Sequence, residues 1–146
     1  MRDCNIRWNY LCQPALNQFM KHGQDEKQQT YLAQLSEQEQ EIVSFSVLAF
    51  YMQQGGFLNF FTHWDLSQLD LVRRVLRKIG ARSIELLLEQ SSQIIRPVLQ
   101  LWPGSTLQEL LQHLTDAEKE EIYALDQAYQ REEEQTYYQA FCYYSG

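Results

Sequence analysis

The stretch Phe50–Trp64, FYMQQGGFLNFFTHW, sets two adjacent glycines, Gly55 and Gly56, inside a run of large aromatic and aliphatic side chains. Paired glycines cradle a phosphate, bend a chain or end a helix. A phosphate loop needs a strand ahead of the glycines and usually Lys-Ser or Lys-Thr behind them. Here the preceding residues read as a helix, and FLNFF follows. The pair therefore predicts a corner: a left-handed residue closes one helix, and the second glycine permits close backbone approach. Phe57, Phe60 and Phe61 then recur at helical spacing and predict a short buried helix.

Upstream, SEQE (Ser36–Glu39) reads as a capping box, the serine hydroxyl and the glutamate each serving the other's backbone N–H. From Ile42 to Met52 the helix it opens is apolar on every side, which marks it as central and buried. That run is about half the length needed to cross a bilayer. Residues 1–30 are weakly patterned, with Trp8, Leu11, Leu16 and Phe19 as docking residues and a short helix over Ala15–Lys21 closed by Gly23. The N-terminal MRDCNIRWNY has no apolar core and does not read as a signal peptide.

Downstream, Leu69, Val72, Leu76 and Ile79 share one face of a helix expected from Leu66 to Ile79, with Gly80 as its stop. Arg73, Arg74, Arg77 and Lys78 fall on the opposite face. The next helix starts at Ser83, carries Leu86, Leu87 and Ile94, and is expected to end at Pro97. WPGS (Trp102–Ser105) is a turn. Two overlapping caps, Ser105 with Gln108 and Thr106 with Glu109, open a helix through Leu114. Thr115 with Glu118 opens a long final helix that nothing breaks before Gly146. Ile122, Leu125 and Tyr129 form its inner stripe, continued by Ala140, Phe141 and Tyr144, while Asp116, Glu120 and Glu134 fall on the opposite side.

With 45% apolar residues, three prolines, six glycines and 20 glutamines in 146 residues, the expectation is all-α: one domain over 1–146, six or seven helices around Ile42–Met52. Cys4, Cys12 and Cys142 have no metal or redox spacing and read as reduced thiols of a cytoplasmic protein, Cys142 as a small packing group. His22, His63 and His113 are scattered, so neither a metal nor another cofactor is expected. No nucleophile motif stands out, and the clustered carboxylates read as solvated, so no catalytic residue is assigned.

Charge placement is more informative than the net of −7. Glu109 to Glu134 holds nine acids and two bases, which is the whole net charge; the rest balances ten acids with ten bases. Five of those bases cluster at Arg73, Arg74, Arg77, Lys78 and Arg82. This strip reads as a solvated face or as the partner of Glu85 and Glu89, with phosphate contact opposed by the overall charge. The acidic end supports a second idea. Carboxylates three or four residues apart on a helix repeat about every 5–6 Å and can present a row of charge to a DNA-binding surface.

Three segments, GGFLNFF (Gly55–Phe61), LRKIGA (Leu76–Ala81) and ALDQAYQ (Ala124–Gln130), are together similar to the small all-helical family named for a bacterial DNA-mimic protein. The resemblance spans about Leu35 to Tyr144, with Gly55, Gly56, Phe57, Phe60, Phe61 and Gly80 as its motif residues. Gln54 stands where the family usually has Asn, Tyr51 where it has an acid, and Asn59 where it has Gln. The resemblance implies a non-enzymatic protein, with a homodimer as one arrangement, that binds a DNA-binding protein such as a transcription factor in place of DNA. Candidate contacts are Asp116, Glu120, Glu121, Asp126, Glu132, Glu133 and Glu134. The alternative is an immunity-type or regulatory protein that grips its partner through shape and apolar contacts. Neither reading involves direct nucleic-acid binding or a membrane.

Overall fold

A computed structural model describes residue 14 and residues 16–21 and 26–145 of the chain. The fold is all-α, and the described residues contain no strand. A short helical stretch α1 (16–20) and α2 (Glu26–Gln34) lead into the long α3 (Glu37–Gln53). After the corner come α4 (Phe57–His63), a 3-10 turn (Leu66–Gln68), α5 (Leu69–Lys78), α6 (Arg82–Leu101), α7 (Leu107–His113) and α8 (Asp116–Ser145). Trp8, Leu11 and Gly23 lie outside the described residues.

Most boundaries follow from local chemistry. The Ser36–Glu39 capping box forms as expected at the start of α3. Thr106 caps α7, accepting from the Glu109 N–H at 3.2 Å, whereas the overlapping Ser105 hydroxyl instead donates to the Trp102 carbonyl. Thr115 and Glu118 exchange both bonds of a capping box ahead of α8. Gly80, with φ +82°, ends α5, and the following Ala81 N–H reaches back to the Leu76 carbonyl at 2.8 Å. One expected helix divides: Asp65 accepts from the Ser67 N–H, giving a 3-10 turn before α5 proper.

At the corner, the N–H groups of Gln54 and Gly56 both donate to the Tyr51 carbonyl at 3.1 Å. Gly56 has φ +82° and ψ −160°, a region that is essentially glycine-only, and Gly55 has φ +124°. This turn sets α4 against α3, α6, α7 and α8 together. Phe57 and Phe60 are completely buried there, Phe57 edge-on to Tyr129 and Phe60 stacked on Trp64. A helix of seven residues does not persist alone in water. Full burial of each phenylalanine, at about 1.5–3 kcal/mol, is what holds it.

The core is one cluster. In α3, residues 43–49 are all buried, the full-circumference burial that its sequence predicts. Contacts are densest between α3 and α5 and between α6 and α8.

Two expectations about α6 are corrected. Its core face is Ile84, Leu88, Ser91, Ser92, Ile95 and Val98, with Leu87 and Ile94 half-buried against the core as expected, whereas Leu86 is 58% exposed. Pro97 does not end the helix, which continues to Leu101. The ring faces water, and so does Gln93, whose carbonyl loses its helical donor; burial of Ile95 and Val98 on either side of the proline carries the helix through. Pro97→Ala should therefore raise stability by about 1–3 kcal/mol in urea unfolding, because it restores an i→i−4 bond at an exposed site. An unchanged or lower midpoint would contradict this account of Pro97.

Candidate functional site

The final helix carries both the fold's internal polar clamp and its acidic exterior. Ile122, Tyr129, Thr136, Tyr137, Ala140 and Tyr144 form its buried stripe, with Leu125 and Phe141 half-buried beside it. Asp126 and Glu133 fall on the same stripe, because positions 122, 126, 129, 133, 136 and 140 step by three or four.

Asp126 is the cap of a different helix. Its Oδ1 accepts from the Phe57 N–H at 2.9 Å, and α4 has no side-chain cap of its own. A carboxylate placed there answers both a free donor and the positive helix end. A Cβ on Gly56 would stand 2.3 Å from Asp126 Oδ2. The close approach that Gly56 permits is thus to a carboxylate of α8, not to backbone. Burial pushes the Asp126 carboxyl up to about 6, against the lowering effect of the Phe57 bond. One turn on, Tyr129 is wholly buried, and its hydroxyl has no hydrogen-bond partner among the described residues. Glu133 accepts from Gln53 Nε2 at 3.0 Å, and the same amide donates to the Tyr137 hydroxyl.

The seven candidate acids therefore do not form one row. Asp126 and Glu133 hold the corner to α8, Glu132 is half-buried, and Asp116, Glu120, Glu121 and Glu134 are exposed. Asp116 stands 3.8 Å from Lys119. No ion pair among the described residues involves Glu120, Glu121 or Glu134.

The cations of α5 are committed internally. Arg73 pairs with Asp70 at 3.0 Å and with Glu89, Arg74 with Glu37 at 3.4 Å, and Arg77 with Glu85. Both readings of this strip hold in part: Arg73 and Arg77 are the partners of Glu89 and Glu85, while Arg74, Arg77, Lys78 and Arg82 are exposed and Arg82 joins no ion pair among the described residues. Lys78 reaches Glu37 at 3.7 Å and Glu41 at 2.6 Å. Glu41, only 2% exposed, also accepts from the Tyr144 hydroxyl at 2.8 Å, so both of its oxygens are used. These groups line a recess of about 340 Å³ with Tyr143 and Gln38. Burial first, then the bond to Glu41, raises the Tyr144 hydroxyl well above the ordinary range. The Glu41 bond likewise raises Lys78.

A larger groove of about 720 Å³ lies between α2, α4 and the 102–105 turn, lined by Phe61, Trp64, Leu66 and Leu99 among others. Its acid, Asp65, is the cap of the 3-10 turn. His63 stacks on Tyr51 with ring centroids 4.2 Å apart, and exposed His113 stacks on Trp102 at 3.7 Å. Cys142 is exposed, a correction to its reading as a packing group. His22, Cys4 and Cys12 lie outside the described side chains. Among the described residues no cluster of three potential metal-binding side chains forms, and no helix is long and apolar enough to cross a membrane.

A family sequence model matches residues 33–143. The chain belongs to the DMP19-like protein family. No curated protein and no solved structure matches it. Two of the three segments meet in space: Asp126 of ALDQAYQ closes on Gly56 and Phe57 of GGFLNFF, while the Gly80 carbonyl of LRKIGA is reached at 3.4 Å by Gln139 Nε2, further along α8. The three departures gather on the corner's surface. Asn59 donates to the Gln54 carbonyl, and Tyr51 lies under His63, whose Nδ1 sits 2.8 Å from the Asn59 carbonyl.

Sequence reasoning overlooked Glu41 and took Asp126 for an exterior charge. The available signal was the three–four spacing that puts Asp126 in line with Ile122 and Tyr129. The raised Asp126 carboxyl fixes a sign. A carboxyl whose folded value exceeds its ordinary 3.8 contributes stability that is complete below that value and is lost as pH rises through about 6. Asp126→Asn keeps an acceptor for Phe57 and does not titrate. Unfolding midpoints measured across that window should fall with pH for the wild type and lack this component in the variant; parallel curves would contradict the assignment.

Proposed function

We propose that the chain is a non-enzymatic, cytoplasmic protein-binding module whose outward α8 face engages the basic surface of a DNA-binding protein in place of DNA. The observation that carries this reading is the separation of charge. Arg73, Arg74, Arg77 and Lys78 are all paired with acids of α3, α5 and α6, whereas Glu120, Glu121 and Glu134 face outward with no cation paired to them among the described residues. At 1.5 Å per residue, Asp116 to Glu134 spans about 27 Å, the length of about eight base pairs. Membership in the DMP19-like family supports the reading through the family's namesake. Asp126 and Glu133 are not contacts in this account, since the fold uses them.

The alternative, a regulatory or immunity-type protein gripping its partner through shape and apolar contacts, is favoured by the apolar part of the 720 Å³ groove. Ionic strength separates the two. A charge-driven complex weakens steeply toward 1 M salt, where the Debye length is about 3 Å, and an apolar one does not.

The quadruple variant Asp116→Lys, Glu120→Lys, Glu121→Lys, Glu134→Lys should keep its helical circular dichroism and lose low-salt capture of DNA-binding proteins from host lysate. Arg131→Ala, removing an exposed cation of the same helix, should strengthen capture. Capture by the quadruple variant at the wild-type level would reject this face.

A further inference from the structure

The exterior of α8 is not uniformly acidic. Tyr123 is 64% exposed and Tyr138 is 46% exposed, each large and each in register with an exposed glutamate. Tyr123 follows Glu120 by three residues, and Tyr138 follows Glu134 by four. Side chains at those separations are neighbours on a helix surface, with Cβ atoms about 5–6 Å apart. The face thus holds two aromatic–carboxylate pairs, one toward each end, with the exposed amides Gln127 and Gln130 between them.

A ring beside a carboxylate matches a guanidinium better than an ammonium. Arginine is planar, offers a fork of donors to a carboxylate, and is weakly enough hydrated to lie flat on an aromatic face at the same time. Lysine's compact, strongly hydrated ammonium takes one of these contacts at a time. Carboxylates alone would attract either cation with little preference. Cation–π attraction survives at exposed sites, so it adds discrimination where the simple ion pair is weak.

We propose that the two Glu–Tyr pairs, Glu120 with Tyr123 and Glu134 with Tyr138, make the outward face of α8 selective for a protein surface that presents arginine rather than lysine. This rests on the reading of that face as the partner-binding surface and names the chemistry of what it takes. Tyr123 and Tyr138 stack on guanidinium groups, and Glu120 and Glu134 receive their N–H donors. The carboxylates supply attraction and the rings supply the choice of cation.

Fluorescence anisotropy with labelled oligoarginine and oligolysine peptides of equal length tests this on the full chain. The wild type should bind the arginine peptide about tenfold more tightly than the lysine peptide. Tyr123→Ala with Tyr138→Ala should erase that preference while leaving lysine-peptide affinity near the wild-type value. Tyr123→Phe with Tyr138→Phe should retain it, because the ring and not the hydroxyl makes the contact. Equal wild-type affinities, or a preference that survives the alanine changes, would overturn the selectivity alone. Failure of the wild type to bind either peptide would overturn the acidic-face reading and this inference with it.

Discussion

One hydrogen bond, from the Phe57 N–H to Asp126, joins the two halves of this chain across 69 residues. It reaches α4 at its first turn, where Gly56 leaves room for a carboxylate and no room for a Cβ. From that turn α4 contacts α3, α6, α7 and α8, so its placement decides how the outer helices meet. The family's glycine pair and its C-terminal ALD segment belong to this one contact. A backbone conformation closed to other residues and a half-buried carboxylate each carry a cost in isolation. Together they allow a seven-residue helix to occupy the middle of the fold.

The arrangement of charge follows from the same packing. With α5 set between α3 and α6, its cations face Glu37, Glu41, Glu85 and Glu89 and are neutralised locally. The buried stripe of α8 turns toward α6 and α4, so Asp126 and Glu133 are half-buried and bonded to the corner while Glu120, Glu121 and Glu134 stay in water. The more exposed of these pairs, Arg74 with Glu37 and Arg77 with Glu85, contribute little to stability. Their consequence is the field outside: in a chain of net charge −7 the cations of α5 are answered from within, while Glu120, Glu121 and Glu134 stand exposed and without an ion pair among the described residues on the final helix.

Features governed by near neighbours were legible in the sequence. The Ser36, Thr106 and Thr115 caps, the Gly80 stop and the end of α3 at the glycine pair depend on residues within one turn of themselves. The all-round burial of α3 was legible because no polar stripe interrupts it. What escaped depends on distant partners. In the run from Ile84 to Leu88 several faces are apolar, and only the approach of α5, α8 and α4 selects Ile84 and Leu88 over Leu86. Pro97 carries a local stop signal that packing on both sides overrides. Asp126 and Glu41 looked like ordinary surface acids because their donors, Phe57, Lys78 and Tyr144, lie 37 to 103 residues away in sequence. For the same reason the seven candidate acids read as a single face when α8 distributes them around its circumference.

A double-mutant cycle on Gly56→Ala and Asp126→Ala tests the corner most directly. Both changes act on the same contact: alanine at 56 displaces the carboxylate, and alanine at 126 removes it while clearing the space. The account predicts that the two destabilisations combine to less than their sum, with a coupling of about 1 kcal/mol or more by chemical denaturation. Additivity within about 0.5 kcal/mol would show that Gly56 and Asp126 act independently and would contradict the corner as the constraint that organises the fold.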